Sequence, residues 1–233
     1  MAIARVSVNN LTYQLDGKVL LTISELDLAQ KRVAVIGRNG SGKTTFVRLL
    51  AGLIKPTQGL IKLDGIDPFD DRKAAIRTVG ILFQNPDHQI IFPTVLEEIA
   101  FGLAQLGHSK NDSREQAHLI LKRFNRQDWA DRSIVTLSQG QRHLVCLMSV
   151  LAMSPKIIIL DEPFSGLDIP TKAALNAEFS QLDQSIIHIT HDTNSIENYD
   201  TVIWLEQGQV AQIGRPDQVI PAYIDAMSET VTL

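Results

Sequence analysis

Gly37, Gly40 and Gly42, followed by Lys43 and Thr44, set out the spacing G-x-x-x-x-G-K-[ST] in the run GRNGSGKT. Residues without a Cβ let a backbone bend tightly and turn successive N–H groups toward one anion, and a helix starting there adds its positive end. Lys43 supplies a mobile cation. The Thr44 hydroxyl is a hard oxygen ligand suited to Mg²⁺ that bridges the β- and γ-phosphates of a nucleotide. The chemistry these residues point to is the holding of a nucleoside triphosphate. The same letters also describe a plain glycine turn capping a helix beside an exposed lysine, so the surrounding elements have to decide.

Four other polar residues end apolar runs. Thr78 to Phe83 leads into Gln84, and Asn85-Pro86-Asp87 then forbids a regular element; Ile157 to Leu160 ends at Asp161 and Glu162; Ile186 to Thr190 ends at His191. β-branched runs of this length read as buried parallel strands, and ligands of open α/β sheets bind at the strands' C-terminal ends. Gln84 is thereby placed to reach a metal ion or an attacking water. Two adjacent carboxylates are costly to bury without a partner. Ser138-Gln139-Gly140-Gln141 opens a helix with Leu144, Leu147, Met148 and Leu151 on one face, which offers a second anion-binding start, although an S-x-x-Q capping box is also a common structural device. Tyr13 lies in a strand-like run, where it would either stack on an adenine ring or sit half-buried as an ordinary strand tyrosine.

The elements that must position these groups follow from periodicity. Arg32 to Ile36 is a short strand, the glycine loop follows, and Thr45 to Leu53 reads as helix, which is the order a phosphate loop requires. Residues 3 to 30 alternate around Asp16-Gly17 and predict antiparallel structure; Leu60 to Leu63 before Asp64-Gly65 predicts a second such unit. From Thr94 the period becomes helical, with Val95, Ile99, Leu103 and Leu106 on one face, Thr94 and Glu97 spaced as a capping box, and Gly107 as the stop. A second helix is expected over Ser113 to Phe124, with Ser113 and Gln116 as its box. Residues 90–152 therefore form a mostly helical insertion between strands, preceded by the apolar triplet Ile90, Ile91 and Phe92, which is either buried under the helix at Thr94 or offered to an apolar partner helix. A hairpin around Gln207-Gly208 and a short helix after Pro216 are expected to close the chain.

Composition narrows the field further. With 233 residues the chain suits one sizeable core with an appendage, and a net charge of −4 from 22 basic and 26 acidic residues gives no bulk attraction to nucleic acid or anionic lipid. Cys146, the single cysteine, cannot form an internal disulfide and reads as a small core residue. The start, MAIARVSVNN, shows no apolar signal segment, so the expected location is the cytosol. No apolar run approaches the roughly 20 residues that span a bilayer, so a membrane role would come through a partner.

In order, these motifs resemble those of ATP-binding cassette ATPases over essentially the whole chain: GRNGSGKT as the Walker A loop, Gln84 as the Q-loop, LSQGQ as the signature, IIILDE as the Walker B strand, SGLD as the D-loop and THD as the switch. The resemblance implies an α/β fold: a P-loop NTPase with a RecA-like parallel sheet core, an N-terminal antiparallel β-subdomain and a helical insertion. It places one cassette domain over 1–233, with core and β-subdomain in 1–89 and 153–233 and the helical subdomain in 90–152. It implies that Gly37, Asn39, Gly40, Ser41, Gly42, Lys43, Thr44 and Thr45 bind ATP and that Tyr13 stacks on its adenine. Thr44, Gln84 and Asp161 would hold Mg²⁺ or its water. Glu162 would be the general base, with His191 on the γ-phosphate and Gln84 nearby. Ser138, Gly140 and Asp168 would act in trans, on ATP held by a second cassette, in what is expected to be a homodimer.

ILFQNPDHQIIFPTVLEEIAFG is similar to the FQNPD-x-Q run of energy-coupling factor ATPases, and LSQGQRHLVCLM looks most like the ATPase of biotin transporters, with cobalt and nickel importers as alternatives. The partners this implies are a transmembrane coupling subunit and a substrate-binding membrane subunit, with the ATPase peripheral on the inner face of the cell membrane and no nucleic acid involved. The short stretch after the switch leads us to expect a cassette without the C-terminal extension of some relatives. A cassette ATPase of a soluble scaffold, such as iron–sulfur assembly, is the rival expectation. One departure stands out: the usual LSGGQ has glycine where this chain has Gln139. If the position needs close phosphate approach or φ above zero, glutamine is disfavoured there by about 1 kcal/mol or more.

Overall fold

The computed structural model describes residues 3–229; residues 1–2 and 230–233 of the expected domain lie outside that range. Two sheets form the frame. β1 (Val6–Leu15) pairs antiparallel with β2 (Lys18–Leu28), and Asp16 and Gly17 between them both take positive φ, 49° and 77°, as a tight hairpin requires. β3 (Arg32–Ile36) precedes the glycine loop, and α1 (Lys43–Leu50) follows it. β4 (Gln58–Leu63) does not found a second unit as the sequence led us to expect. It adds to β1, giving one three-stranded sheet in the order β2-β1-β4.

The larger sheet is parallel with one antiparallel edge. α2 (Arg72–Thr78) leads into β5 (Val79–Leu82); β6 (Ile157–Asp161), β7 (Ser185–Ile189), β8 (Thr201–Glu206) and β9 (Gln209–Gly214) complete the order β5-β6-β7-β3-β8-β9, in which only β8–β9 is antiparallel. Period two divides its side chains between two cores. Ile157, Ile159, Ile187 and Ile189 join Val33 and Val35 on the face that packs on α1 and the small sheet. Ile158, Leu160 and Ile186 face the helices. Burial on both faces explains why these strands read as unbroken apolar runs.

The helical side comprises α3 (Val95–Gln105), α4 (Lys110–Arg123), α5 (Gln139–Ala152) and α6 (Ile169–Ser180), with α7 (Pro216–Glu229) packed beside β8. Val95, Ile99, Leu121, Cys146 and Leu147 are fully buried together with Leu82 and Leu160, so these helices share one apolar core with a sheet face. Cys146 is packing, as expected, and burial pushes its thiol pKa up.

Two expected caps differ. Thr94 precedes α3, but its hydroxyl donates to the Glu97 carboxylate at 2.6 Å instead of capping a backbone N–H. α4 starts four residues earlier than expected: Ser109 is its N-cap, accepting from Asp112 N at 3.2 Å, and Ser113 N donates to Ser109 O at 2.9 Å as an interior helical residue. The Asp112 carboxylate accepts from the Ser109 hydroxyl at 2.7 Å and no reciprocal bond to Ser109 N forms, so Ser109 caps α4 without a full capping box.

Candidate active site

A cavity of about 1000 Å³ opens at the C-terminal ends of β3, β5, β6 and β7 and gathers Gly37, Asn39, Gly40, Gly42, Lys43, Thr44, Thr45, Gln84, Asp161, Glu162 and His191. The glycine loop is shaped by contacts that only glycine allows. A Cβ on Gly37 would lie 2.2 Å from the Leu205 carbonyl oxygen and 2.6 Å from Ser41 Oγ. Gly42 takes φ 101° and caps α1 with no side chain, which leaves the first N–H groups of that helix open to an anion. Ser41 is buried behind the loop and does not line the cavity.

Lys43 is only 7 % exposed and its ammonium donates to the carbonyls of Gly37 at 2.7 Å and Arg38 at 2.9 Å. Burial lowers its pKa, and the carboxylates of Glu162, Asp161 and Glu206 oppose that shift. Asp161 shows the opposite pressure: burial raises its pKa first and the neighbouring Glu162 adds to it, with Arg48 and Lys43 pulling down. Two carboxylates, a threonine hydroxyl and a glutamine amide on one wall form a hard-oxygen donor set that a divalent cation would relieve. Among the described residues no cluster of three or more His, Cys, Asp or Glu side chains could hold a metal unaided. The donor set therefore fits Mg²⁺ that keeps its own waters and takes phosphate oxygens, as this ion prefers.

Glu162 sits in the left-handed region at φ 47°, with its N–H bonded to Ile189 O at 2.9 Å. A non-glycine residue held there stores strain of order 1 kcal/mol, a feature that clusters at functional positions. Its Oε2 lies 3.1 Å from His191 Nδ1, so the two strand ends of β6 and β7 meet as a carboxylate–imidazole pair. Gln84 Nε2 donates to Ser165 Oγ at 3.1 Å, which ties the end of β5 to the loop before α6.

The chain belongs to the ABC transporter family. The family's sequence profile matches residues 23–165. The chain is 44% identical over 222 residues, 95% of each protein, to the biotin transport ATP-binding protein BioM of Rhodobacter capsulatus. It is 34% identical over 227 residues to the energy-coupling factor transporter ATP-binding protein EcfA of Syntrophomonas wolfei, covering 93% of this chain and 83% of that one. The solved structure of cbiO1 from Clostridium perfringens, part of the ABC transporter complex cbiONQ, superposes with a TM-score of 0.80 at 28% identity over 97% of this chain and 95% of that one. The cassette is thus an ATPase of this family, with the fold the motifs implied.

Several cassette residues stand apart from that cavity. Tyr13 is half-buried on β1 against the small-sheet core and does not line the cavity; the aromatic ring that does is Tyr223 of α7, joined by Leu20. Nothing near Tyr223 in sequence announced it, because α7 arrives only by tertiary packing; Arg38, also in the lining, was visible inside the loop motif. Ser138 and Gly140 line a different cavity, of about 410 Å³, shared with Thr171 of α6. Asp168 is the N-cap of α6 and accepts from Thr171 N at 2.8 Å; its pKa is lowered, first by hydrogen bonding to the Thr171 side chain and then by this backbone bond. Gln139 is the first residue of α5 with ordinary helical φ, so the backbone penalty considered for a non-glycine does not arise. Its amide instead rests beside Gly166: a Cβ on that glycine would come within 3.2 Å of Gln139 Nε2. Gly140 has a packing reason to be glycine, since a Cβ there would lie 2.4 Å from Thr171 Cγ2.

Proposed function

We propose that this cassette powers uptake of biotin through an energy-coupling factor importer, by ATP-driven closure of a dimer of two identical chains. The observation that carries the reading is the separation of its polar groups: Lys43, Thr44, Gln84, Asp161, Glu162 and His191 share one cavity, while Ser138 and Gly140 line another. One chain can grip a triphosphate and aim a base at it, yet leaves the outer face of the γ-phosphate without fixed donors. A second copy supplies them from the start of its α5, much as an inserted arginine does in other phosphoryl-transfer enzymes.

In the closed dimer Glu162 accepts a proton from the attacking water and His191 orients that carboxylate and contacts the γ-phosphate. Lys43 shifts its donors from the loop carbonyls to phosphate oxygens. Mg²⁺, held by Thr44 and by Gln84 and Asp161 directly or through water, would neutralise charge on the β- and γ-phosphates. Tyr13, which lies outside the cavity lining, is assigned to the adenine of ATP on the cassette resemblance alone, and Asp168 to the face presented to the second cassette.

Coupling to the membrane is assigned to the segment after Gln84, at the base of the helical subdomain 90–152. The three apolar residues there divide clearly: Ile90 packs on the core, Phe92 is half-buried with its ring centroid 5.0 Å from that of Phe101, and Ile91 is 70% exposed. Both Ile91 N and Phe92 N donate to Glu98 Oε2 at 2.9 Å, so the backbone is fixed while the Ile91 side chain projects. That arrangement suits contact with an apolar helix of a transmembrane coupling subunit and holds the ATPase at the inner face of the cell membrane. No helix among the described residues is long and apolar enough to cross a membrane. The choice of biotin over a metal ion rests on the likeness to the Rhodobacter protein.

The test is substrate uptake by cells that carry the complete transporter. Wild-type cassette should support biotin accumulation and Glu162→Gln should abolish it. Accumulation of cobalt or nickel in place of biotin would reassign the substrate, and uptake indifferent to Glu162→Gln would contradict the reading.

A further inference from the structure

α5 carries one polar ring in its buried face. His143 is 0% exposed among Val145, Cys146 and Leu147, with Nδ1 3.2 Å from Gln139 O and Nε2 3.1 Å from Gln84 O; burial disfavours the charged ring and a neutral imidazole has one N–H, so the bond that leaves α5 is the one the Nε2–H tautomer donates to Gln84 O. The first carbonyl belongs to the opening turn of α5. The second belongs to the residue whose side chain reaches the nucleotide cavity.

We propose that His143 is a positioning residue that joins the backbone at Gln84 to the start of α5, so that a shift of Gln84 on ATP binding moves Ser138 and Gly140 with it. A second tie runs in parallel. Arg142 Nε lies 3.1 Å from Asp87 Oδ1, and Arg142 Nη1 donates to Leu137 O at 2.9 Å. Consecutive residues 142 and 143 thus hold residues 84 and 87 on one side, and Arg142 holds the carbonyl of Leu137, next to Ser138, on the other. A buried imidazole is costly where an apolar side chain would pack as well, unless its polar atoms are used. Here the Nε2–H tautomer joins α5, whose first turn is assigned to the second chain, to the only residue of this cluster that lines the cavity. The inference rests on the assignment of Ser138 and Gly140 to the opposing ATP.

The test compares His143→Leu, His143→Asn and His143→Gln in the full-length protein, with melting temperature, ATP dissociation constant and steady-state hydrolysis measured on each. Leucine removes the bond to Gln84 O, asparagine is too short to reach it, and glutamine keeps a donor at about the right reach. We expect kcat to fall by about tenfold or more in His143→Leu while the ATP dissociation constant stays within roughly threefold, with His143→Gln recovering most of the rate. Should His143→Leu fail to fold, the comparison of Asn with Gln decides: kcat about fivefold higher for Gln, at equal melting temperature and ATP affinity, supports the tie. Equal rates in Asn and Gln, or losses that track melting temperature alone, overturn it. Ser138→Arg separates this inference from its premise. If Ser138→Arg abolishes hydrolysis while folded His143→Leu hydrolyses normally, only the role of His143 falls; if Ser138→Arg hydrolyses like wild type, the composite site falls and His143's role with it.

Discussion

α1 and α5 both begin where an anion is expected, and they begin in opposite ways. α1 starts on Gly42 at φ 101°, with no side-chain cap and no carboxylate in its first turn, so no side chain competes for its opening N–H groups. α5 starts on Ser138 with a complete capping box: Gln141 N donates to Ser138 Oγ at 3.3 Å and Ser138 N to Gln141 Oε1 at 3.0 Å. A helix end must satisfy its first donors somehow, and the two ends chose different partners. The first leaves them for phosphate within its own chain. The second satisfies part of them itself, so on the proposed reading only the N–H groups of Gln139 and Gly140 are left for a second chain. This asymmetry is what the proposed dependence of hydrolysis on a second cassette would use.

The largest effect should come from the side that is already committed. Glu162→Gln keeps the carboxamide in place of the base, so ATP binding should persist while hydrolysis falls by roughly 10² to 10⁴. Measured by phosphate release, full activity in this variant would remove Glu162 from the base role. Ser138→Ala should act more gently, and on stability first: loss of an N-cap costs about 1 kcal/mol, visible as a lower melting temperature, with monomer ATP affinity unchanged. A drop in monomer affinity would show that α5 already serves the cavity in its own chain and would erase the contrast drawn above. Ile91→Ser should do least to the isolated protein, within about 0.5 kcal/mol of stability and with ATP binding intact, yet it should loosen the cassette from its membrane partners in pull-down. An unfolded Ile91→Ser protein would place that side chain in the core.

Local signals were the legible ones. Strand, loop and helix around Gly37 to Thr44, the box at Ser138, and the strand ends at Gln84, Asp161 and His191 all depend on near neighbours in sequence, and all formed. The cap misread at Ser113 shows the limit of that logic, because Ser109 with Asp112 offered the same bond one turn earlier. Contacts made across the chain left no pattern to read. Tyr223 reaches the cavity from α7, α6 sets its Thr171 against Gly140, and Gln139 finds Gly166 in place of the φ problem its identity raised. β4 likewise reads as a strand from its own residues, but its addition to β1 depends on a partner about fifty residues away.

The most direct test of the conditional site mixes two disabled chains. Lys43→Ala removes the cation of the first anion site and Ser138→Arg blocks the second, so neither protein alone should close around ATP. A heterodimer of the two contains one intact composite site, with Lys43 from one chain and Ser138 from the other. Crosslinking across the interface should therefore become ATP-dependent in the mixture and stay absent in each protein by itself. If closure is lost equally in the mixture and in the separate proteins, the two helix starts do not meet on one nucleotide.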